Sequence, residues 1–174
     1  MAHNVLVTVF CPDRTGLVAE ITAALFDLGA NLGDTNFAML GSGAEFTSVC
    51  ELPDVVTAKQ VINDLRAIRD LSTAQISVIP FTFETVHGPT GKITHRFTVR
   101  GGDSPGLIAR LCEVFVEYKA NIVRLAAEKQ ADGDYTIRFS VWIPEENTDS
   151  CAATVRNTAE GLQLACDVET IAPN

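Results

Sequence analysis

The sequence predicts an α+β fold built twice, as two consecutive βαββαβ units in one chain of 174 residues. Three observations predict it. The stretch from Cys11 to Val18 (CPDRTGLV) returns as Gly102 to Ile108 (GDSPGLI), with Asp13 and Asp103, and Gly16 and Gly106, each 90 positions apart. Ala30-Asn31 returns as Ala120-Asn121 at that same offset of 90. Around these landmarks the apolar residues switch between strand and helix spacing in one order, twice. Landmarks held at a fixed offset mark a duplicated unit.

The elements follow in order. A β-rich run, Val5 to Phe10 in the first copy and Phe97 to Arg100 in the second, precedes each loop. After the first loop Leu17, Ile21, Leu25 and Leu28 keep helical spacing, and Gly29 supplies the left-handed stop common at helix ends. After the second, Leu107, Leu111, Val114, Phe115 and Tyr118 repeat the stripe, but Lys119 stands where the first copy has its glycine. Ser104 is expected as the N-cap and Pro105 as the first helical residue. Two further runs are joined by hairpin turns at Gly41-Ser42-Gly43 and Asp132-Gly133-Asp134. A strand then ends in proline each time, at Leu52-Pro53 and Ile143-Pro144. A second helix follows, read from Val55, Ala58, Val61, Ile62, Leu65 and Ile68 in one copy. In the other it is read from Ala152, Val155, Ala159 and Leu162, with Gly161 near its end. The last strands are Gln75 to Ile79 and Leu164 to Ile171.

This order is the ferredoxin-like split βαβ, a four-stranded antiparallel sheet with two helices on one face. The expected division is residues 1–86 for the first unit, 87–93 for a linker broken by Gly88, Pro89 and Gly91, and 94–174 for the second. Side-by-side packing of the units is expected, since a unit this small has a thin core. On the first strand Val5, Val7 and Val9 alternate with Leu6, Thr8 and Phe10, whereas the second copy has Arg96 and Arg100 in place of Leu6 and Phe10. One sheet face is therefore expected to be apolar in both copies and the other face only in the first. Phe37 and Met39 are expected in the core.

Composition excludes several classes of function. With 13 basic against 22 acidic residues the chain carries −9, and its arginines are dispersed, so a phosphate backbone would repel it. No apolar run reaches membrane-spanning length and the first residues lack a basic signal-peptide region, which makes the cytoplasm the expected location. Five cysteines without a C-x-x-C pair indicate neither a disulfide framework nor a zinc site, and His3, His87 and His95 have no ligand spacing. Gly88-Pro-Thr-Gly91-Lys92 has two residues between its glycines rather than four, so it reads as linker and not as a phosphate loop. No cofactor is expected, and no nucleophile is recognisably paired with a base, so the chain is not expected to be an enzyme.

Repeat, loop and element order together resemble the ACT domain, a small ligand-binding regulatory module, through the D-x-x-G-L stretch at both strand-to-helix junctions. Two such units filling so short a chain resemble the glycine cleavage system transcriptional repressor family. The residues themselves allow two readings of the loops. Asp13 and Asp103 can cap the helices that follow. Alternatively, N–H groups at Gly16 and Leu17 can receive a ligand carboxylate while Asp13 faces its ammonium, and a small amino acid carries both charges. The binding loops are then Asp13, Arg14, Thr15, Gly16 and Leu17, with Asp103, Ser104, Gly106 and Leu107 in the second copy.

Asn31 and Asn121 suit a turn, and their amides could also hold both ends of a zwitterion. The ACT resemblance implies that a loop of one unit and this strand-start asparagine of a neighbouring unit share a ligand. The resemblance to the glycine cleavage system repressor family further implies a response to glycine and opposition to a DNA-binding activator by contact with that protein. The expected partners are thus an amino acid, a protein, and a second copy of the chain if it self-associates. A regulatory amino-acid-binding subunit of a metabolic enzyme is the alternative.

Overall fold

The computed structural model describes residues 2–131 and 133–172 of the chain. It divides between Thr85 and Val86 into two compact units, each with its own sheet and core. The first unit runs β1 (His3–Pro12), α1 (Leu17–Asp27), β2 (Asn31–Leu40), β3 (Gly43–Leu52), α2 (Ala58–Ala67) and β4 (Gln75–Pro80). The second runs β5 (His95–Gly102), α3 (Leu107–Glu117), β6 (Asn121–Lys129), β7 (Asp134–Trp142), α4 (Thr148–Gly161) and β8 (Ala165–Thr170). Short 3-10 turns at Pro89–Gly91 and Glu145–Asn147 precede β5 and α4. Both units are ferredoxin-like βαββαβ, with antiparallel strands in the order β2-β3-β1-β4 and β6-β7-β5-β8.

Alternation along the central strands sets the core. Val5, Val7 and Val9 are buried, as are Phe97 and Val99 at the corresponding positions. Leu17, Ile21 and Leu25 of α1 and Val61 and Leu65 of α2 bury their apolar stripes in the first core. Leu111 and Phe115 of α3 and Cys151, Val155 and Ala159 of α4 do the same in the second. The opposite faces differ as their residues dictate. Leu6 is half-buried and Phe10 is 38% exposed, beside exposed Ile79. In the second sheet that face carries ion pairs, Arg96–Glu169 at 3.5 Å, Arg100–Asp167 at 3.0 Å and Arg138–Glu128 at 2.8 Å.

Several local expectations are corrected. The cap of α3 is Gly106 in the left-handed region, so Ser104 and Pro105 sit in the turn before the helix rather than at its N-cap and first position. Val55 lies outside α2 and is exposed, because Thr57 caps that helix by accepting from Gln60 N–H at 3.2 Å. Gly161 is the last residue of α4, near its end as expected, and Gln163 just beyond it takes the left-handed conformation (φ 61°). Gly29 takes its expected left-handed stop at φ 77°, and Lys119 adopts φ 56° where glycine is absent. Phe37 and Met39 are 39% and 62% exposed: both lie on edge strand β2, where the sheet has a neighbour on one side only. The β2–β3 turn contains Gly41 as expected. Asp132 of the second hairpin turn lies outside the described residues, while its neighbour Gly133 has φ 93°.

Candidate functional site

The two strand-to-helix loops share one backbone design. Gly16 (φ 85°) and Gly106 (φ 82°) are the N-caps of α1 and α3, in a region an L side chain enters only with strain. A Cβ on Gly16 would meet nothing nearer than Glu20 Oε1 at 3.8 Å, and one on Gly106 nothing within 4 Å. Glycine is therefore required by the turn itself, and the space above each loop is open. Leu17 N–H and Leu107 N–H donate back to Arg14 O and Ser104 O, each at 3.3 Å, so this expected donor is already partly used. The side chains of Leu17 and Leu107 are core residues and present only backbone to the loop.

Side-chain chemistry separates the loops. Asp13 is half-buried and its carboxylate accepts no hydrogen bond from the described residues; its N–H donates to Ser42 O at 3.0 Å, tying the loop to the β2–β3 turn. Asp103 is instead paired with Lys129 Nζ at 3.2 Å. The capping reading thus fails for both aspartates, because each helix start is closed by glycine and a turn bond.

Arg14 is committed within the protein. Its Nη1 and Nη2 donate to Glu20 Oε1 and Oε2 at 3.0 and 2.6 Å, and Nη2 also donates to Arg69 O at 3.1 Å. This bidentate bond raises the arginine above its ordinary pKa and holds Glu20 below the usual carboxylate range. Thr15 is exposed at the loop tip. At the offset of 90, Arg14 and Glu20 become Ser104 and Arg110, so the clamp belongs to the first unit alone.

The asparagines lie far from the loop of their own unit. Asn31 starts β2 opposite Glu51, which pairs with Asn4, whereas Asp13 follows the other end of β1. Eight residues of strand put them about 25–30 Å apart. Asn121 likewise starts β6 at the end of its sheet remote from Asp103. The Asn31 side chain is exposed without a hydrogen bond among the described residues, but Asn121 Nδ2 donates to Thr90 O at 2.9 Å and pins the 3-10 turn before β5.

Beside the first loop a groove of about 500 Å³ opens between Pro12, Asp13 and Arg14 on one wall and Asp70, Leu71, Ser72 and Thr73 on the other. A second, of about 400 Å³, reaches from Phe10 and Cys11 to Leu40, Gly43 and Gln75. Sequence reasoning missed the α2–β4 connection, since residues 70–73 form no recognisable motif and reach the loop only through the fold.

Burial raises all five thiols, Cys151 to about 11, so none is poised as a nucleophile. Among the described residues no group of three or more His, Cys, Asp or Glu could hold a metal, and no helix is long and apolar enough to cross a membrane.

Residues 3–77 match the model of the ACT domain. The second unit repeats the same elements in the same strand order. The chain resembles a tandem ACT-domain protein, its first unit matching that model and its second repeating the architecture. It is 26% identical over 167 residues to the glycine cleavage system transcriptional repressor of Escherichia coli (strain K12), covering 94% of this chain and 84% of that one. The repressor of that name from Shigella flexneri gives the same identity and coverage, 26% and 94%. Among solved structures, an unknown protein from Galdieria sulphuraria shares the fold with a TM-score of 0.73 at 23% identity, covering 99% of this chain and 100% of that one. A candidate glycine cleavage system transcriptional repressor does so with a TM-score of 0.65 at 14% identity, covering 99% of each.

Proposed function

We propose that the chain is an amino-acid-sensing regulator that acts on a protein partner rather than on DNA. The observation that carries this reading is a glycine-capped ACT loop whose Asp13 carboxylate has no hydrogen-bond partner among the described residues. An anionic group beside the positive end of a helix suits the two charges of a small zwitterion. The names of the relatives make glycine the first ligand to test and transcription the process to examine. The net charge of −9 opposes direct binding to a nucleic-acid backbone and favours action through a protein, for which a DNA-binding activator is the fitting class. The second loop is the weaker site of the two, its aspartate paired with Lys129.

The test is isothermal titration calorimetry of the full chain with glycine, serine and alanine. One of these binds the wild type, Asp13→Asn weakens it, and Asp103→Asn changes it less. Wild-type protein that gives no heat with any of them, or equal losses in both variants, overturns the assignment to the first loop.

A further inference from the structure

We propose that the groove between the first loop and the α2–β4 connection seats the ligand's ammonium group, with Asp13 and Asp70 as counter-charges and the Ser72 and Thr73 hydroxyls as acceptors. This deepens the reading that the first loop takes an amino acid, and rests on it.

The groove of about 500 Å³ is lined by all four residues. None of their side chains hydrogen-bonds within the described protein, and Asp70 has only long ion pairs, 3.8 Å from Arg14 Nε and 3.6 Å from Arg69 Nε. An ammonium has three donors and no acceptor, so a lining of carboxylates and hydroxyls complements it, whereas a ligand carboxylate would meet like charge. Arg14 does not reverse this: its terminal nitrogens are spent on Glu20 and Arg69 O, Glu20 offsets its charge, and its Nε, buried without a hydrogen-bond partner, lies 3.8 Å from Asp70 Oδ2. Counting Asp13, Glu20 and Asp70 against Arg14 and Arg69, the groove's surroundings carry one net negative charge, which one ammonium neutralises.

The arginine has a different part. By holding Glu20 on α1 and Arg69 O after α2 together, it fixes the two walls of the groove before a ligand arrives, and preorganised walls lower the ordering cost of binding. Arg14 is therefore a positioning residue. With Ser104 and Arg110 at the equivalent positions, the second unit lacks this clamp.

The experiment is calorimetry of the full chain at low salt with three probes: glycine, glycinamide (ammonium without carboxylate) and N-acetylglycine (carboxylate without ammonium). The variants are Asp70→Asn and Thr73→Val, with Asp13→Asn as the control for the loop. Asp70 has φ 68°, which asparagine tolerates, so Asp70→Asn removes the charge and keeps the backbone. Circular dichroism checks that each variant remains folded.

Glycine and glycinamide are expected to bind the wild type, N-acetylglycine not, and Asp70→Asn to weaken both amines about tenfold. Thr73→Val should weaken them less. Wild-type affinity in Asp70→Asn and Thr73→Val, with loss in Asp13→Asn, overturns the groove and leaves the loop reading standing. Binding of N-acetylglycine as tight as glycine also overturns it. Silence of the wild type toward both amines overturns the groove and the loop reading together.

Discussion

Among single residues, His95 is the one whose burial has a direct consequence in solution. It is 4% exposed on the helix-facing side of β5, in line with Phe97, and its Nδ1 lies 2.9 Å from Thr94 Oγ1. Thr94 Oγ1 donates to Val141 O at 3.3 Å, which makes Nδ1 the donor of the pair and leaves Nε2 as the bare nitrogen. Nε2 is buried without a partner, so a proton added there would have no acceptor. Desolvation accordingly lowers the imidazole below its ordinary 6.5, with Asp149 opposing only in part. The unfolded chain then binds a proton that the folded chain refuses, and stability rises with pH across that interval. The contribution is complete above about 6.5 and is lost as pH falls toward the lower folded value. Glu20, held below its ordinary 4.5, contributes above that value and loses its share only in more acid solution, so the two windows separate. The urea midpoint should fall between pH 7.5 and 5.5, and His95→Gln should flatten that slope. An unchanged slope in the variant would place the titrating group elsewhere.

Elements are held by their apolar stripes far more than by the charges that decorate them. Phe115 of α3 packs at steep ring angles between Phe97 of β5 and Phe139 of β7, with ring centroids 5.3 and 5.2 Å away, and is fully buried. Phe115→Ala should cost about 3–5 kcal/mol in denaturant unfolding. Arg100→Ala breaks an ion pair whose side chains are 55% and 75% exposed, and should cost no more than about 1 kcal/mol. A similar loss in both would mean that the ladder of ion pairs on the outer face, and not the aromatic core, carries the second sheet. The same distinction explains what was legible in the sequence. Helices and strands announce themselves by periodic burial, so the four helices and eight strands among the described residues fall near their expected places. Helix starts were read worse: Ser104 and Pro105 are good cap residues, but Gly106 wins because only glycine turns the chain into α3 at φ 82°. The Arg14 clamp, the Lys129–Asp103 pair and the Asn121–Thr90 bond join residues distant in sequence without period or motif. They decide which loop keeps a free carboxylate, which is why the fold was readable and the inequality of the two loops was not.

For the whole molecule, the duplication yields two units that each close their own hydrogen-bonded sheet over their own core. Nothing in the first core, from Val5 to Ala74, draws on a residue beyond Thr85. Residues 1–85 expressed alone should therefore fold, with the far-ultraviolet dichroism of a mixed α/β protein and a cooperative urea transition. The fragment would also expose apolar side chains on one helix and one edge strand: Val18 at 37% and Phe26 at 75% on α1, Phe37 at 39% and Met39 at 62% on β2. A sheet edge with unpaired backbone groups and neighbouring apolar side chains favours association with another copy. Light scattering coupled to gel filtration should show the fragment dimeric or larger at tens of micromolar, and Phe26→Glu with Met39→Glu should shift it toward monomer. Charges at these exposed positions leave the core untouched, so the doubly substituted fragment should keep its dichroism and its cooperative transition. A wild-type fragment that stays monomeric across that range would show that this flank does not drive association. A fragment that associates equally with both glutamates in place would move the contact to the other sheet face, where Leu6, Phe10 and Ile79 lie.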